Sequence, residues 1–413
     1  MKRLCVITQT YPPDPAAVGQ HIADVACRMV ERGWQVVVYT SRRGYDDPSH
    51  RYPWRENRDG VEVRRLPFSS LGKSGILVRL VAQWSFILQA LLRCLFGGRF
   101  SAVLVSTSPP FAGFAGSMLK KIRGWPFVWW VMDVNPDQMV ASGRARESAP
   151  LVRVFNWMNR VTLRAADRVI ALDRFMRDRL SAKIDVGDRL SVIPPWSHDV
   201  VRDDVPHDSN PFRQRHDLGG AFVVMYSGNH GYSTPIATLL AASKILREQP
   251  RIKFVFIGGG VLKGDIDEMV HRESPPNIIS LPYQPLADIR YSLSSADVHI
   301  VSLAKEGVGI VHPCKVYGAL AMGRPVIALA PRVSYLGDML DRHHVGWHVE
   351  YGDVAGLVTV IRSLAAMSES QLATLAAAAR DAARGEFSRQ RLVDQVCDLI
   401  SSAGSNPRAE AVR

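Results

Sequence analysis

Two stretches of this chain repeat one alternation: a short apolar run, a loop, a run with helical spacing, and another apolar run. In the first stretch, Leu4–Thr8 reads as a buried strand and Thr10–Gly19 as a loop. Gln20–Arg32 then sets Ile22, Val25, Ala26, Met29 and Val30 on one helical face, and Trp34–Thr40 is the next strand. "FSAVLVST", "PFVWWVMD", "DRVIALD" and "LSVIPP" continue the series. A polar stretch, "DVVRDDVPHDSNPFRQRHDLG", separates it from a second set: "AFVVMYSGN", "IKFVFIGGG", "NIISLP", "DVHIVSLA", "PVIALA" and "GWHVE", with helices between. Strands wholly apolar and spaced by helices belong to parallel sheets covered on both faces. The expected fold class is α/β, with two doubly wound, Rossmann-like domains facing one another across a cleft. Their expected extents are 1–198 and 220–385, joined by a linker over 199–219. A C-terminal helix over 386–400, its return to the first domain left open, and a tail over 401–413 complete the chain. Ligands of such sheets bind in loops at the strands' C-terminal ends, so those loops hold the candidate site.

Cysteine and charge narrow the setting. The five cysteines are scattered and form no CxxC pair, which argues for a reducing cytoplasmic compartment without a disulfide frame or zinc site. The N-terminal "LCVI" is too short for a signal peptide. Residues 1–195 carry 29 Lys and Arg against 16 Asp and Glu, a net of +13, so the whole formal charge of +12 belongs to the first half. Such a half meets anionic partners, a membrane surface or nucleic acid. Nucleic acid is the poorer fit, because the basic residues are not interleaved with aromatics along one groove.

The segment "GVGIVHPCKVYGALAMGRPVIALAP", from Gly307 to Pro331, raises a question of electrostatics. Lys315 falls in the first turn of the helix that Pro313 introduces, where unpaired N–H groups already make the field positive. The lysine is explained if a diphosphate normally occupies the loop Gly307–Pro313 and the helix start. The alternative is a lysine that turns away into water, and the sequence leaves both open.

"YSGNHG", the "GGG" after "KFVFI", "LPYQP", "ADVHIVSL" and "PCKVYGALAMGRPVIA" together resemble the C-terminal domain of family 4 retaining glycosyltransferases of the GT-B fold. The likeness is greatest to the WbuB/WcaI-like transferases of O-antigen and exopolysaccharide assembly. "ITQTYPPDPAAVGQHIADVA", "STSPPFAG" and "VMDVNPD" extend it over the first half. The resemblance implies transfer of a sugar, with retention, from a nucleoside diphosphate sugar held mostly by the second domain, without a further cofactor. It places Gly228, Asn229, Gly259, Pro282, Tyr283, Gln284, Gly309, His312, Pro313, Cys314 and Lys315 around the donor, with the turn at Pro282–Gln284 against the base. Three departures stand out. Gly318 stands where the wider family has a glutamate, Met132 where many members have a histidine, and no basic residue follows "SGN" in the usual way. Glu306 lies too far upstream to replace that glutamate, and Lys305 is a second candidate cation.

In the first domain, Gly19, Gln20 and His21 sit where the loop meets the helix, with N–H groups expected to face the cleft and Gly19 and Gln20 expected to bind the donor; His21 either touches the donor's phosphates or the acceptor, or is an ordinary helical histidine. Asp133 and Asn135, in a polar loop at a strand end, are expected to face the substrate. With Asp137 they imitate the start of a calcium loop, but the glycine at the sixth position is missing and Arg144 replaces the closing acid, so no metal is expected. The "GGG" is not GxGxxG, which argues against a nicotinamide site. His343 and His344 are read as surface residues.

Ile76–Phe96 is apolar and about long enough to span a bilayer, yet Arg79, Gln83 and Arg93 share one side of the helix. A helix lying in a membrane interface fits this better than a span, and a helix packed on the sheet is the other possibility. Arg42, Arg43, Arg51, Arg55, Arg58, Arg64, Arg65 and Lys73 upstream suit anionic lipid heads. The expected activity is transfer to a glycan on a polyprenyl pyrophosphate, at the inner face of the plasma membrane, in cell-surface polysaccharide assembly. The rivals are a sugar-nucleotide epimerase of the same fold and a nucleotide-sugar-binding protein without transferase activity.

Overall fold

The computed structural model describes residues 1–44, 47, 49–69, 76–198 and 205–404, except the side chains of Ile76, Leu77 and Arg79. Two compact units divide the chain: Met1–Pro194 with the segment from Arg389 onward, and Pro195–Ser388.

The first unit holds β1 (Arg3–Ile7), β2 (Gln35–Ser41), β3 (Arg55–Arg58), β4 (Val61–Leu66), β5 (Ala102–Ser106), β6 (Phe127–Trp130), β7 (Arg168–Ala171) and β8 (Leu190–Val192). They form one sheet in the order β3-β4-β2-β1-β5-β6-β7-β8. Every pairing is parallel except β3 with β4. Central β1 buries Leu4, Cys5, Val6 and Ile7 completely, as a strand covered on both faces must. The helix Ala17–Glu31 packs on the sheet over β2 and β4, with Ile22, Val25, Ala26 and Met29 buried. It begins before the expected Gln20, so Gly19, Gln20 and His21 lie inside its first turns.

The hairpin β3–β4 is an addition to the expected strands. Asp59 and Gly60 both have positive φ, 52° and 81°, which is the conformation a two-residue hairpin turn requires and which Asp-Gly supplies. The helix Arg389–Ala403 packs on the first unit, with Leu392, Val393, Val396, Cys397 and Ile400 buried. Asp394 receives Arg28 at 2.7 Å and Arg32 at 2.7 Å from the helix Ala17–Glu31.

The second unit holds β9 (Phe222–Ser227), β10 (Ile252–Ile257), β11 (Ile278–Leu281), β12 (Val298–Ser302), β13 (Val326–Leu329) and β14 (Gly346–Val349). The order β11-β10-β9-β12-β13-β14 is parallel throughout. Its order reverses between β9 and β12, the place where sheets of this kind bind ligands. Val224, Tyr226, Phe254, Phe256, Ile300 and Ile327 form the middle of its core.

Part of the expected linker is folded. Residues 199–204 lie outside the described residues, but Pro211–Arg215 is a helix whose Phe212 and Arg213 are buried. Arg213 donates to the carbonyls of Ser295 at 2.6 Å and Gly219 at 2.9 Å, so from Val205 onward this stretch belongs to the second unit. Of the expected tail, Ser401–Ala403 finishes the last helix, and residues 405–413 lie outside the described residues.

Candidate functional site

At the reversal point of the second sheet, the loops after β9 and β10 are locked together. Gly228 donates to the carbonyl of Ile257 at 2.8 Å, and His230 to that of Gly259 at 2.8 Å. A Cβ on Gly258 would lie 2.0 Å from the carbonyl oxygen of Gly228, and both residues have strongly positive φ. The "GGG" run is therefore a close-approach device between neighbouring loops rather than a cofactor fingerprint. Tyr283, at the turn after β11, is exposed and packs against Gly259, while Gln284 donates to the carbonyl of Pro282 at 2.9 Å.

Lys315 opens the helix Lys315–Ala321. It does not turn away into water. Its Nζ donates to the Tyr226 hydroxyl at 2.5 Å and to the Asn229 carbonyl at 2.8 Å, and lies 4.1 Å from the centre of the Tyr226 ring. Its stem fills the space above Gly228, where a Cβ would come within 2.4 Å of Cε. Among the described residues no carboxylate pairs with it. Burial lowers its pKa to about 7.

The rest of the stretch is arranged around this lysine. Gly309 has φ +69°, and the loop Gly307–Val311 closes on itself through Gly307's carbonyl, which accepts from Ile310 and Val311. His312 is buried, with Nε2 2.7 Å from the Tyr317 hydroxyl, which in turn lies 2.7 Å from that of Tyr335. Pro313 and half-buried Cys314 lead into the helix. Glu306 and Lys305 are exposed in a single 3-10 turn after β12.

Sequence reasoning passed over Tyr226 and His230. Both lie in "YSGNHG", of which the resemblance assigns roles only to Gly228 and Asn229, although a phenol at the ligand edge of a central strand is visible there. His230 is fully buried beside it, with ring centres 4.7 Å apart. Desolvation, and then the Lys315 charge, lower His230 to about 4, so it is neutral at ordinary pH.

In the first unit, Asp133 and Asn135 follow β6 and line one small pocket with Thr107, Phe111, Trp129 and Asn159, with room for about one water. Thr107 Oγ1 accepts from the amides of buried Met132 at 3.0 Å and of Asp133 at 3.2 Å. Among the described residues nothing donates to the Asp133 carboxyl, and burial raises its pKa to about 6. The carboxylate of Asp137 goes elsewhere, to Lys183 at 2.7 Å and Arg179 at 3.3 Å. His21 does not line this pocket; its buried ring has Nδ1 2.8 Å from the Ala17 carbonyl. Gln20 donates to Pro15, and Gly19 lies close against the Thr10–Tyr11 backbone.

Ile76–Phe96 is one helix. Ala82, Phe86, Ile87, Ala90 and Cys94 face the core, but Val81, Trp84, Leu88, Leu92 and Phe96 form an exposed stripe at helical spacing. No described helix is long and apolar enough to cross a membrane. Of the basic residues expected near lipid, Lys73 lies outside the described residues. Arg65 is unsuited to that part, because its side chain is fully buried and paired with Glu56 at 2.5 Å. Arg64 pairs with Glu62 at 2.7 Å. His343 also differs from expectation: it is half-buried, 2.9 Å from Glu386 and edge-on to Phe387.

Two family profiles match in order, one described as "Glycosyl transferase 4-like domain" over residues 16–196 and one as "Glycosyl transferases group 1" over residues 221–367. The chain belongs to the family 4 glycosyltransferases. Its fold is GT-B. A glycosyltransferase of Pseudomonas aeruginosa, WbjE, is 24% identical over 84% of this chain and 80% of its own. The colanic acid biosynthesis glycosyl transferase WcaI of Escherichia coli is 23% identical over 87% of this chain and 91% of its own. HepE of Anabaena, solved with UDP-glucose, superposes with a TM-score of 0.70 at 17% identity, covering 97% of this chain and 100% of HepE.

Proposed function

We propose that this glycosyltransferase moves a sugar from a nucleoside diphosphate sugar to a glycan carried on a polyprenyl pyrophosphate, with retention, in cell-surface polysaccharide assembly. The observation that carries the donor half is Lys315: a half-buried cation at the ligand edge, held by neutral partners and lacking an anion. Support also comes from the UDP-glucose of HepE and from the colanic acid pathway in the name of WcaI. In this reading Lys315 and the Gly307–Pro313 loop neutralise the leaving diphosphate as charge develops on it. Gly228, Asn229 and Gly259 shape the phosphate side, and Pro282–Gln284 meets the base. Asp133 and Asn135 contact the transferred sugar or the acceptor hydroxyl, and neither a metal nor a further cofactor takes part. The leaving phosphate itself assists removal of the acceptor's proton.

The acceptor half rests on the exposed stripe of Ile76–Phe96 and the basic first half of the sequence. Apolar side chains enter the interface and exposed basic groups such as Arg93 meet anionic heads, which makes the enzyme peripheral at the cytoplasmic face. The test of the donor site is binding. Lys315→Ala is expected to weaken nucleoside diphosphate affinity by about 1.5–3 kcal/mol, the range for a charged hydrogen bond. The bare nucleoside is expected to bind both forms equally. Unchanged diphosphate affinity would remove Lys315 from the site.

A further inference from the structure

We propose that the membrane face of the first unit is three helices wide, and that an exposed stripe on the helix Pro150–Ala165 is a second anchor entering an anionic bilayer. The inference rests on the reading that Ile76–Phe96 lies in the membrane interface.

The helices Ile76–Phe96, Ala112–Arg123 and Pro150–Ala165 carry the chain from β4 to β5, from β5 to β6 and from β6 to β7. These crossovers all run the same way along the sheet, so right-handed connection puts the three helices on one face. The middle helix packs against both of the others. The step from β1 to β2 runs the opposite way, which puts Ala17–Glu31 on the other face with Arg389–Ala403 packed against it.

Charge divides the two faces. Ala17–Glu31 and Arg389–Ala403 carry Asp24, Glu31, Asp394 and Asp398, and Arg28, Arg32 and Arg389 pair with them, so that face neutralises itself. The three helices opposite carry eight lysines and arginines and not one aspartate or glutamate. Lys120 finds Asp167 beyond the helices, at 2.7 Å. Arg93, Lys121, Arg153, Arg160 and Arg164 are exposed, and among the described residues none of them has an ion pair.

The same face is apolar where it is not basic. On Pro150–Ala165, Val152, Phe155, Met158 and Leu163 are buried, whereas Leu151, Val154 and Trp157 form an exposed stripe flanked by the three arginines. Half-buried Phe114 of the middle helix lies against Trp157, with ring centres 5.9 Å apart. Met118 and exposed Ile122 follow Phe114 at helical spacing, so apolar side chains continue between the two outer stripes.

This composition selects the occupant. A second copy would set cations against cations, and a nucleic acid would leave Leu88, Leu92 and Val154 in water. An anionic bilayer takes both parts: leucine and valine enter below the head groups, tryptophan sits at their level, and arginines meet the phosphates. Docking also reaches the candidate site. On the side of the helix away from Trp157, buried Asn159 lines the Asp133 pocket and donates to the carbonyl of Asn135. A helix with its side chains is about 10 Å across, so a docked Pro150–Ala165 holds that pocket about one helix diameter from the head groups.

Flotation of the full chain with vesicles of phosphatidylglycerol and phosphatidylcholine tests the second anchor. Val154→Asp combined with Trp157→Asp is expected to weaken binding at least tenfold while the far-UV spectrum and thermal midpoint stay near the parent's. Two further measurements hold even if that variant fails to fold. Arg153→Gln, Arg160→Gln and Arg164→Gln together change only exposed side chains. They are expected to weaken binding at least tenfold in low salt and to make little difference at about 1 M salt, where the attraction is screened. Trp157→Phe is expected to lose part of the fluorescence that brominated lipid quenches in the parent. Unchanged quenching in Trp157→Phe, with binding still lost when Leu88 and Leu92 become aspartate, overturns the proposal and leaves Ile76–Phe96 as the anchor. A parent that floats with none of these vesicles overturns the membrane reading itself. Self-association of the parent that the Val154 and Trp157 changes abolish would assign the face to a second copy, and that also overturns the proposal.

Discussion

Asp133 makes stability depend on pH at a single position. Burial raises its pKa from 3.8 to about 6, so between those values the folded protein binds more protons than the unfolded chain. The fold therefore gains from this residue as pH falls through 6, and carries the cost of a buried carboxylate above it. Asp133→Asn is expected to stabilise the protein by about 1–3 kcal/mol at pH 7.5 and by little at pH 4, measured by denaturant unfolding. If Asp133 serves the reaction, the same variant loses turnover while keeping its affinity for nucleoside diphosphate. Lys315 has the opposite charge but the same logic. Its lowered pKa means that the unfolded chain binds more protons between about 7 and 10.5, so this residue's contribution to stability rises with pH over that window. Lys315→Met is expected to raise the thermal midpoint of the empty protein at pH 6.5 more than at pH 9.5. A variant that is destabilised equally at both would mean that the lysine's bonds to Tyr226 and Asn229 matter to the fold more than its charge does. Lys315 was legible in the sequence because a cation in a first helical turn conflicts with the local field. Tyr226 was not, because its contacts with Lys315 depend on how the loops after β9 and β12 meet.

The helix Ile76–Phe96 shows the same division between pattern and context. Its bounds and its two-sided character follow from spacing, but spacing could not tell an exposed apolar stripe from a second packed face. The structure separates them, with Phe86 and Ala90 buried and Leu88 and Leu92 about half exposed, at 56% and 45%. Replacing both Leu88 and Leu92 with aspartate is expected to leave the far-UV spectrum and thermal midpoint nearly unchanged. It is expected to weaken binding to anionic vesicles at least tenfold, since two leucines lost from the interface cost about 1.5–3 kcal/mol each. Phe86→Asp, in contrast, is expected to unfold the first unit. Equal damage from both variants would make the stripe a packing surface. The hairpin β3–β4 was missed for an informative reason. The buried alternation of Val61 and Val63 is continued by an arginine, Arg65, which hid it, and only the Asp59–Gly60 pair marked it.

At the scale of the molecule, the two-set alternation of strands and helices gave the class of fold, and the order of motifs gave the family. Parallel sheets with this strand order need their crossovers packed on both faces, which leaves few ways to arrange such a sequence. The segment from Arg389 was harder to place, because its apolar face fits either unit and only tertiary contact decides. Truncation after Ser388 is expected to uncover the surface covered by Leu392, Val396 and Ile400 and to lower the thermal midpoint of the first unit. The central claim is retaining transfer from a nucleotide sugar to a lipid-linked glycan. The most direct measurement incubates the full chain with a nucleoside diphosphate sugar and a polyprenyl-pyrophosphate glycan. It follows release of nucleoside diphosphate and reads the new anomeric centre by NMR. The account predicts acceptor-dependent release and a product with the donor's anomeric configuration. An inverted product, or conversion of the donor to its epimer without any acceptor, would contradict it.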